Sequence, residues 1–512
     1  MIPLKKTLIS LLGAGVLFSG CHSFYHEELT HPSPAYYCEK EIFNYDMNHD
    51  GITDYIQIAE CNGVKTKFLI DKDFDGEFDI KVNTKEYDED VPHLTLILDA
   101  ITYKMMKELY SEGYFRLFYP PGKMVSTFPS ISEVAYSVIY KKQKSPGYEK
   151  KYYDLKDNKF KGGALDYLKG NDVDRMFFKS DNPVSVWDYV IEIASPETGI
   201  DLEIDQLRKV FFRKKGKDMI LYMRTTDLGS HFLPWDLMKE KMITISYVIE
   251  DLFYFADCNM KITLYSDHGN NFDSKKHVSL KEYLEERGFD TGSSLLDSDI
   301  VLPELGTLNF GAVYTKSGLE QKVAESLAKN KSVDIVAFAD TDEIKVLSER
   351  GTARILKKGN KFAYIPMTGD PLHLNEAQNY FQKQNLLDNE GFVEEAEWFK
   401  ITTTAYDAYP DALKRIWDSL SGEYVANPAN IIVSLKDGYC AGSSFLAFFA
   451  KVTGTHGSLH KNSTLGMFTT NYSEAPEAIR AEDILKFINK HHPKIKCEDK
   501  RKKTPSPFLK EK

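Results

Sequence analysis

Three short apolar runs constrain this chain most, because each delivers a carboxylate or an imidazole just past its end. Leu94-Thr-Leu-Ile-Leu98 stops at Asp99, Met219-Ile-Leu-Tyr-Met223 precedes Asp227-Leu-Gly-Ser-His231, and Ile262-Thr-Leu-Tyr265 runs into Asp267-His268-Gly269. Runs this short and this apolar read as buried strands. Amphipathic stretches lie between them, an alternation that builds an α/β core with a mixed or largely parallel sheet covered by helices. Open sheets of that kind present ligands at the carboxyl ends of their strands.

Other residues of the same chemistry surround these strand ends. Ser132 follows the turn Phe128-Pro-Ser-Ile and opens a helical apolar pattern at Val134, Ala135, Val138 and Ile139, where peptide dipoles favour an anionic oxygen. Asp227 and His231 stand four apart, so on a helix they face the same way and can share one ion. His456 sits in the glycine-rich loop Thr453-Gly-Thr-His456-Gly. Taken singly, each has a plain structural alternative: a carboxylate at a strand end caps a helix or forms a turn, and a histidine among glycines is a loop residue. Five such blocks in one order are harder to assign to coincidence.

The blocks Leu98-Asp99, Phe128 to Ser132, Asp227 to His231, Ser266-Asp-His-Gly269 and Gly454-Thr-His-Gly457 resemble the signature segments of the alkaline phosphatase superfamily. The resemblance is closest to its type I phosphodiesterase/nucleotide pyrophosphatase branch and spans residues 91 to 490. It implies an α/β, alkaline-phosphatase-like three-layer core with a central mixed, mostly parallel sheet. It further implies that Asp227, His231 and His456 hold one divalent metal and Asp99, Asp267 and His268 a second, zinc by the family's habit. Ser132 would be the nucleophile, acting through a covalent phospho-enzyme. The family usually places Thr followed by Phe or Asn where this chain has Ser132-Glu133, and Ser126-Thr127-Phe128-Pro129 resembles the same phrase, so Thr127 is a rival. Sulfatases of the superfamily need Pro and Arg after the nucleophile, and Ser132-Glu-Val-Ala-Tyr136 has neither.

The amino terminus reads as a signal peptide over residues 1–20: Lys5-Lys6, the apolar stretch from Leu8 to Phe18, then Ser19-Gly20-Cys21. It resembles a bacterial lipoprotein signal, which implies lipidation of Cys21 and anchoring of the protein to the bilayer of the bacterial cell envelope; an ordinary secretory signal is the alternative. No later run approaches the roughly 18 apolar residues a membrane span needs, and Ser443 to Ala450 is short enough to be a core helix.

Residues 21–90 carry two near-copies of a calcium phrase. Asp46, Asn48, Asp50 and Asp54 form one and Asp71, Asp73, Asp75 and Asp79 the other, with Gly51 and Gly76 at the turns. Carboxylates at alternate positions converge on a hard cation. Both phrases resemble EF-hand, dockerin or thrombospondin type-3 loops, but Gln57 and Val82 replace the twelfth-position Glu, and strands are expected after each loop. A calcium-stabilised spacer and simple acidic turns are the two readings. Cys38 and Cys61 flank the first phrase and could pair, whereas Cys258, Cys440 and Cys497 show no metal-ligand spacing.

The catalytic region is expected over residues 91–493, with an insertion at 288–396 able to cap the site and a basic tail from 494 to 512. A net charge of −11 over 512 residues speaks against a nucleic-acid-binding face. The expectation is therefore a metal-dependent phosphoric ester hydrolase acting on a phosphate ester, a phosphodiesterase or pyrophosphatase ahead of a phosphomonoesterase. The rival is a calcium-binding surface lipoprotein without catalysis.

Overall fold

The computed structural model describes residues 41–163, 173–182, 194–273, 276–442 and 452–493. The signal segment, Cys21, Cys38, Cys497, the apolar run from 443 to 450 and the basic tail lie outside the described residues.

The core sheet has six strands in the order Ala478–Arg480, Gly122–Val125, Leu465–Thr470, Lys261–Tyr265, His93–Leu98, Met219–Met223. His93–Leu98 runs parallel to both of its neighbours, while Leu465–Thr470 is antiparallel to both of its own, so the sheet is mixed. Every residue of His93–Leu98 and of Lys261–Tyr265 is buried, as expected for strands covered on both faces. Leu94, Leu96 and Leu98 pack with Met105, Ile200, Leu207, Ile245 and Ile249, from the helices Tyr103–Ser111, Pro196–Lys214 and Trp235–Phe255. Ile97, Tyr222 and Tyr265 face the helices Ser132–Tyr140 and Ile484–His491 through Tyr136, Ile139, Ile484 and Ile488. The result is helix, sheet and helix in three layers.

The insertion is more than a cap. Its strands form most of a nine-stranded sheet running from Thr291–Gly292 to Val393–Glu394, antiparallel apart from the pairing of Thr291–Gly292 with Ile300–Val301. The strand Ile431–Leu435, from beyond the insertion, enters between Phe310–Thr315 and Val333–Asp340, so the insertion cannot fold as a closed unit. A hairpin turns at Gly359-Asn360, with Lys358 opposite Lys361. One face of this sheet, through Phe310, Tyr314 and Ile335, packs on Phe128, Ile131, Val134 and Val138, and so backs the segment that carries Ser132.

Residues 41–83 form an antiparallel four-stranded meander, Glu41–Tyr45, Tyr55–Ala59, Lys65–Ile70 and Ile80–Asn83. Strands follow each calcium phrase, and the phrases become the two hairpin loops at one end of the meander. The meander packs against the rest of the described chain. Tyr55 packs at a tilt against Tyr254 and Phe68 edge-on against Phe253, with ring centroids 4.8 Å and 4.9 Å apart, and Lys65 pairs with Glu250 at 2.9 Å in a buried contact. Through Tyr45, Tyr55, Phe68 and Ile70 the meander shares the core of the helices beneath the six-stranded sheet, an apolar face that would be costly to leave in water. No helix among the described residues is long and apolar enough to cross a membrane.

Candidate metal centre

The parallel strands end at one edge, and the side chains just past them meet there. Asp99 follows Leu98 in a residue pair turned sharply by Ala100, whose φ is 60°. Asp227 and His231 lie on the helix Thr225–Phe232, with Asp227 Oδ1 3.6 Å from His231 Nε2. Asp267 and His268 follow Tyr265 and are both 0% exposed. His456 arrives from the glycine loop, its Nε2 3.4 Å from Asp227 Oδ1 and its ring stacked on His268 at 3.9 Å. His268 Nε2 in turn lies 3.6 Å from Asp99 Oδ1 and 3.5 Å from Asp267 Oδ2. All six ligand candidates are thus brought to one place from four separated stretches of chain.

The three imidazoles are oriented in the same way. His231 Nδ1 meets Gly454 O at 2.9 Å, His268 Nδ1 meets Gly269 O at 2.9 Å, and His456 Nδ1 meets Ser130 O at 2.8 Å. A carbonyl only accepts, so each Nδ1 carries the proton and each Nε2 keeps its lone pair facing the carboxylates. That is the tautomer a metal ligand needs. The glycine at 454 is required by proximity, since a Cβ there would fall 2.3 Å from Asn270 Oδ1 and from Ser230 O.

The electrostatics call for a cation. Asp227 Oδ1 and Asp267 Oδ2 are buried and accept no hydrogen bond, a costly state for carboxylates. Burial, and then the Asp267 and Asp227 carboxylates, hold the Asp99 carboxyl well above its usual range. Burial, followed by His268 and His231, keeps the His456 imidazole well below its ordinary value and therefore neutral. Carboxylate and imidazole atoms of Asp99, Asp267 and His268 lie within 4.8 Å of one another, as do those of Asp227, His268 and His456. Mixed nitrogen and oxygen donors of this kind suit zinc.

Between the two rival nucleophiles the geometry differs sharply. Ser132 is the first residue of its helix, and its Oγ lies 3.1 Å from His268 Nε2 and 3.4 Å from Asp99 Oδ1. Thr127 instead donates its hydroxyl to Pro129 O at 2.7 Å, within its own turn.

Two further residues shape the site without a signal in the sequence. Tyr222, inside an apolar strand, donates its phenol to Asp99 Oδ2 and so fixes that carboxylate. Arg415, 1% exposed, donates to Thr127 O at 2.8 Å, Ser130 Oγ at 3.1 Å, Leu459 O at 3.2 Å and Pro410 O at 3.0 Å. It ties the turn before Ser132 to the loop after His456. By contrast, Arg350, Arg354 and Asp370 serve the second sheet: Arg350 binds Asp334, Arg354 binds Glu343, and Asp370 accepts from Leu374 N and Asn375 N.

The calcium phrases fold into similar loops. Asp46 accepts from Asp50 N and Gly51 N, Asn48 and Asp50 accept from Asp50 N and Ile52 N, and Asp54 accepts from Met47 N and Asn48 N. In the second loop Asp71 accepts from Asp75 N and Gly76 N, Asp75 from Glu77 N, and Asp79 from Lys72 N. Carboxylate oxygens of Asp71, Asp73 and Asp79 lie within 4.8 Å of one another, and the neighbouring Asp75 charge raises the Asp73 carboxyl above its ordinary value. Gly51 and Gly76 hold φ of 91° and 90°, the left-handed turn that glycine makes at no steric cost. Cys61 is exposed, and Cys258 and Cys440 are buried.

No family model matches the chain, and no curated protein sequence matches it. Solved structures similar to it include murine ectonucleotide pyrophosphatase / phosphodiesterase 5, at 12% identity and a TM-score of 0.40 over 78% of this chain and 95% of that one. The human ectonucleotide pyrophosphatase / phosphodiesterase 5 is similar at 13% identity and 0.39, over the same shares. Phosphonoacetate hydrolase from Sinorhizobium meliloti, in complex with phosphonoformate, is similar at 12% identity and 0.42, over 82% of this chain and 98% of that one.

Proposed function

We propose that the chain is a metal-dependent phosphoric ester hydrolase of the phosphodiesterase/nucleotide pyrophosphatase kind, with Ser132 as nucleophile. The observation that carries this reading is the Ser132 hydroxyl standing 3.1 Å from His268 Nε2 and 3.4 Å from Asp99 Oδ1, amid carboxylate oxygens that accept no hydrogen bond. Asp227, His231 and His456 would hold one divalent ion, and Asp99, Asp267 and His268 the other, with zinc favoured by the donor set. Two ions bound there supply charge neutralisation for the phosphoryl oxygens and a lowered hydroxyl pKa.

The remaining steps belong to the chain. Ser132 Oγ, on the first turn of its helix, forms the new bond to phosphorus while the ester P–O bond breaks and the alcohol leaves. Water then cleaves the phosphoseryl ester and releases phosphate or a phosphate monoester. Tyr222 keeps Asp99 in place throughout, and the three backbone carbonyls hold the proton of each neutral imidazole on Nδ1, which turns Nε2 toward the carboxylates. Turnover of bis-p-nitrophenyl phosphate and p-nitrophenyl phosphate, with zinc and after chelation, tests the reading. Zinc-dependent turnover lost in Ser132→Ala supports it, and metal-loaded protein inert toward every ester would refute it.

The same proposal assigns lipid attachment to Cys21 and places the hydrolase on the bacterial cell envelope. Fatty-acid labelling that survives Cys21→Ala would contradict this. Calcium is assigned to the two N-terminal loops, whose donors are all oxygen.

A further inference from the structure

Among the loop carboxylates one oxygen stands apart. Asp54 is 1% exposed; its Oδ2 accepts from Met47 N at 2.7 Å and Asn48 N at 3.2 Å, which sets the carboxylate inside the first loop. Its Oδ1 is buried and has no hydrogen-bond partner. A buried carboxylate oxygen left in that state is unfavourable, and a hard cation among oxygen donors is the partner that removes the cost.

Asp54 is also where the two loops and the catalytic half converge. Its carbonyl accepts from Asp71 N of the second loop at 2.8 Å. The next residue, Tyr55, is fully buried, packs at a tilt against Tyr254 and brings its hydroxyl 3.5 Å from Cys258 Sγ. Tyr254 ends the long helix Trp235–Phe255, and Cys258 leads into the strand Lys261–Tyr265 that delivers Asp267 and His268. Lys72 of the second loop reaches Asp257 at 3.0 Å in the same turn.

We propose that a divalent cation, calcium by its oxygen donors, completes the first loop through Asp54 Oδ1 and thereby locks the meander onto the end of the helix Trp235–Phe255. The N-terminal loops are then a calcium-controlled clamp on the catalytic half. This rests on reading the loops as calcium sites.

Hydrogen exchange of the full chain, zinc-loaded and stripped of calcium, followed by addition of calcium chloride, tests the clamp. Titration calorimetry on the same samples reports binding separately. At a hundredfold excess of calcium over Kd, amides in the last turns of the helix and in residues 256–260 exchange up to about a hundredfold more slowly, by mass action. Asp54→Asn removes the slowing. Because that side chain is buried, the exposed Asp50→Asn serves as the second variant, and it weakens binding and slowing together. Absence of calcium heat would refute the loops as calcium sites. Calcium heat with unchanged exchange in the helix would leave those sites standing and overturn the clamp alone.

Discussion

At the scale of single residues, the centre depends on side chains whose alternatives differ by one hydrogen bond. Ser132 faces the ligands, whereas the Thr127 hydroxyl is committed to Pro129 O. Ser132→Ala is therefore expected to lower kcat by at least about a thousandfold, the scale seen when a nucleophile is removed, with Thr127→Ala close to wild type in steady-state assays. The reverse ranking would reassign the nucleophile. Tyr222→Phe leaves Asp99 Oδ2 without its donor, and metal affinity at that site should fall about 10- to 100-fold, read by competition with a fluorescent zinc chelator; unchanged affinity would remove Tyr222 from the site. The candidate ligands stand out in the sequence because Asp99, Asp267 and His268 follow apolar runs, Asp227 and His231 are four apart, and His456 lies between glycines. Tyr222 and Arg415 were not, since a phenol in an apolar strand and an arginine in a helix look ordinary until folding brings them to partners 123 and 288 positions away.

At the scale of elements, strands and loops hold the site to tolerance. Arg415 binds both the turn before Ser132 and the loop after His456 while buried, and burial pushes its guanidinium down to about 10. Arg415→Met leaves its acceptors unpaired, which should cost about 3 kcal/mol of stability and, by shifting Ser132 against His456, about a hundredfold in kcat. Urea unfolding and steady-state kinetics together check this, and lost stability with full kcat would make Arg415 purely structural. His93 opens the strand His93–Leu98 with its Nε2 2.9 Å from Thr263 Oγ1, and burial, with His492 alongside, pushes its imidazole down to about 3 from 6.5. The folded form thus keeps His93 neutral where the unfolded chain protonates it. The stability this contributes is complete above pH 6.5 and is lost as pH falls toward 3, at about 1.4 kcal/mol per pH unit. His93→Gln should flatten that part of the stability profile measured by denaturant titration, and an unchanged slope would exclude His93 as its source. The core strands were legible because strands covered on both faces read as unbroken apolar runs. The second sheet was harder to read, because its central strand, Ile431–Leu435, comes from outside the stretch that looked like an insertion.

For the whole molecule, the six-stranded sheet, backed by the second sheet, gathers one acidic cluster that folding alone leaves uncompensated. Without a cation the buried Asp99 and Asp267 and the half-buried Asp227 are set against one another, so removal of zinc by a chelator that spares calcium should lower the melting temperature, and restoring zinc should recover it. A melting temperature indifferent to zinc would mean that the cluster holds no ion. The meander's place was only half legible: the alternating carboxylates announced its loops, but its docking depends on Tyr55 and Phe68 finding Tyr254 and Phe253 across the chain. The account as a whole is tested most directly by anomalous diffraction at the zinc edge on crystals of the zinc-loaded protein. It predicts two peaks, one among Asp227, His231 and His456 and one among Asp99, Asp267 and His268, with Ser132 Oγ facing both. A single peak elsewhere, or none at these side chains, would contradict it.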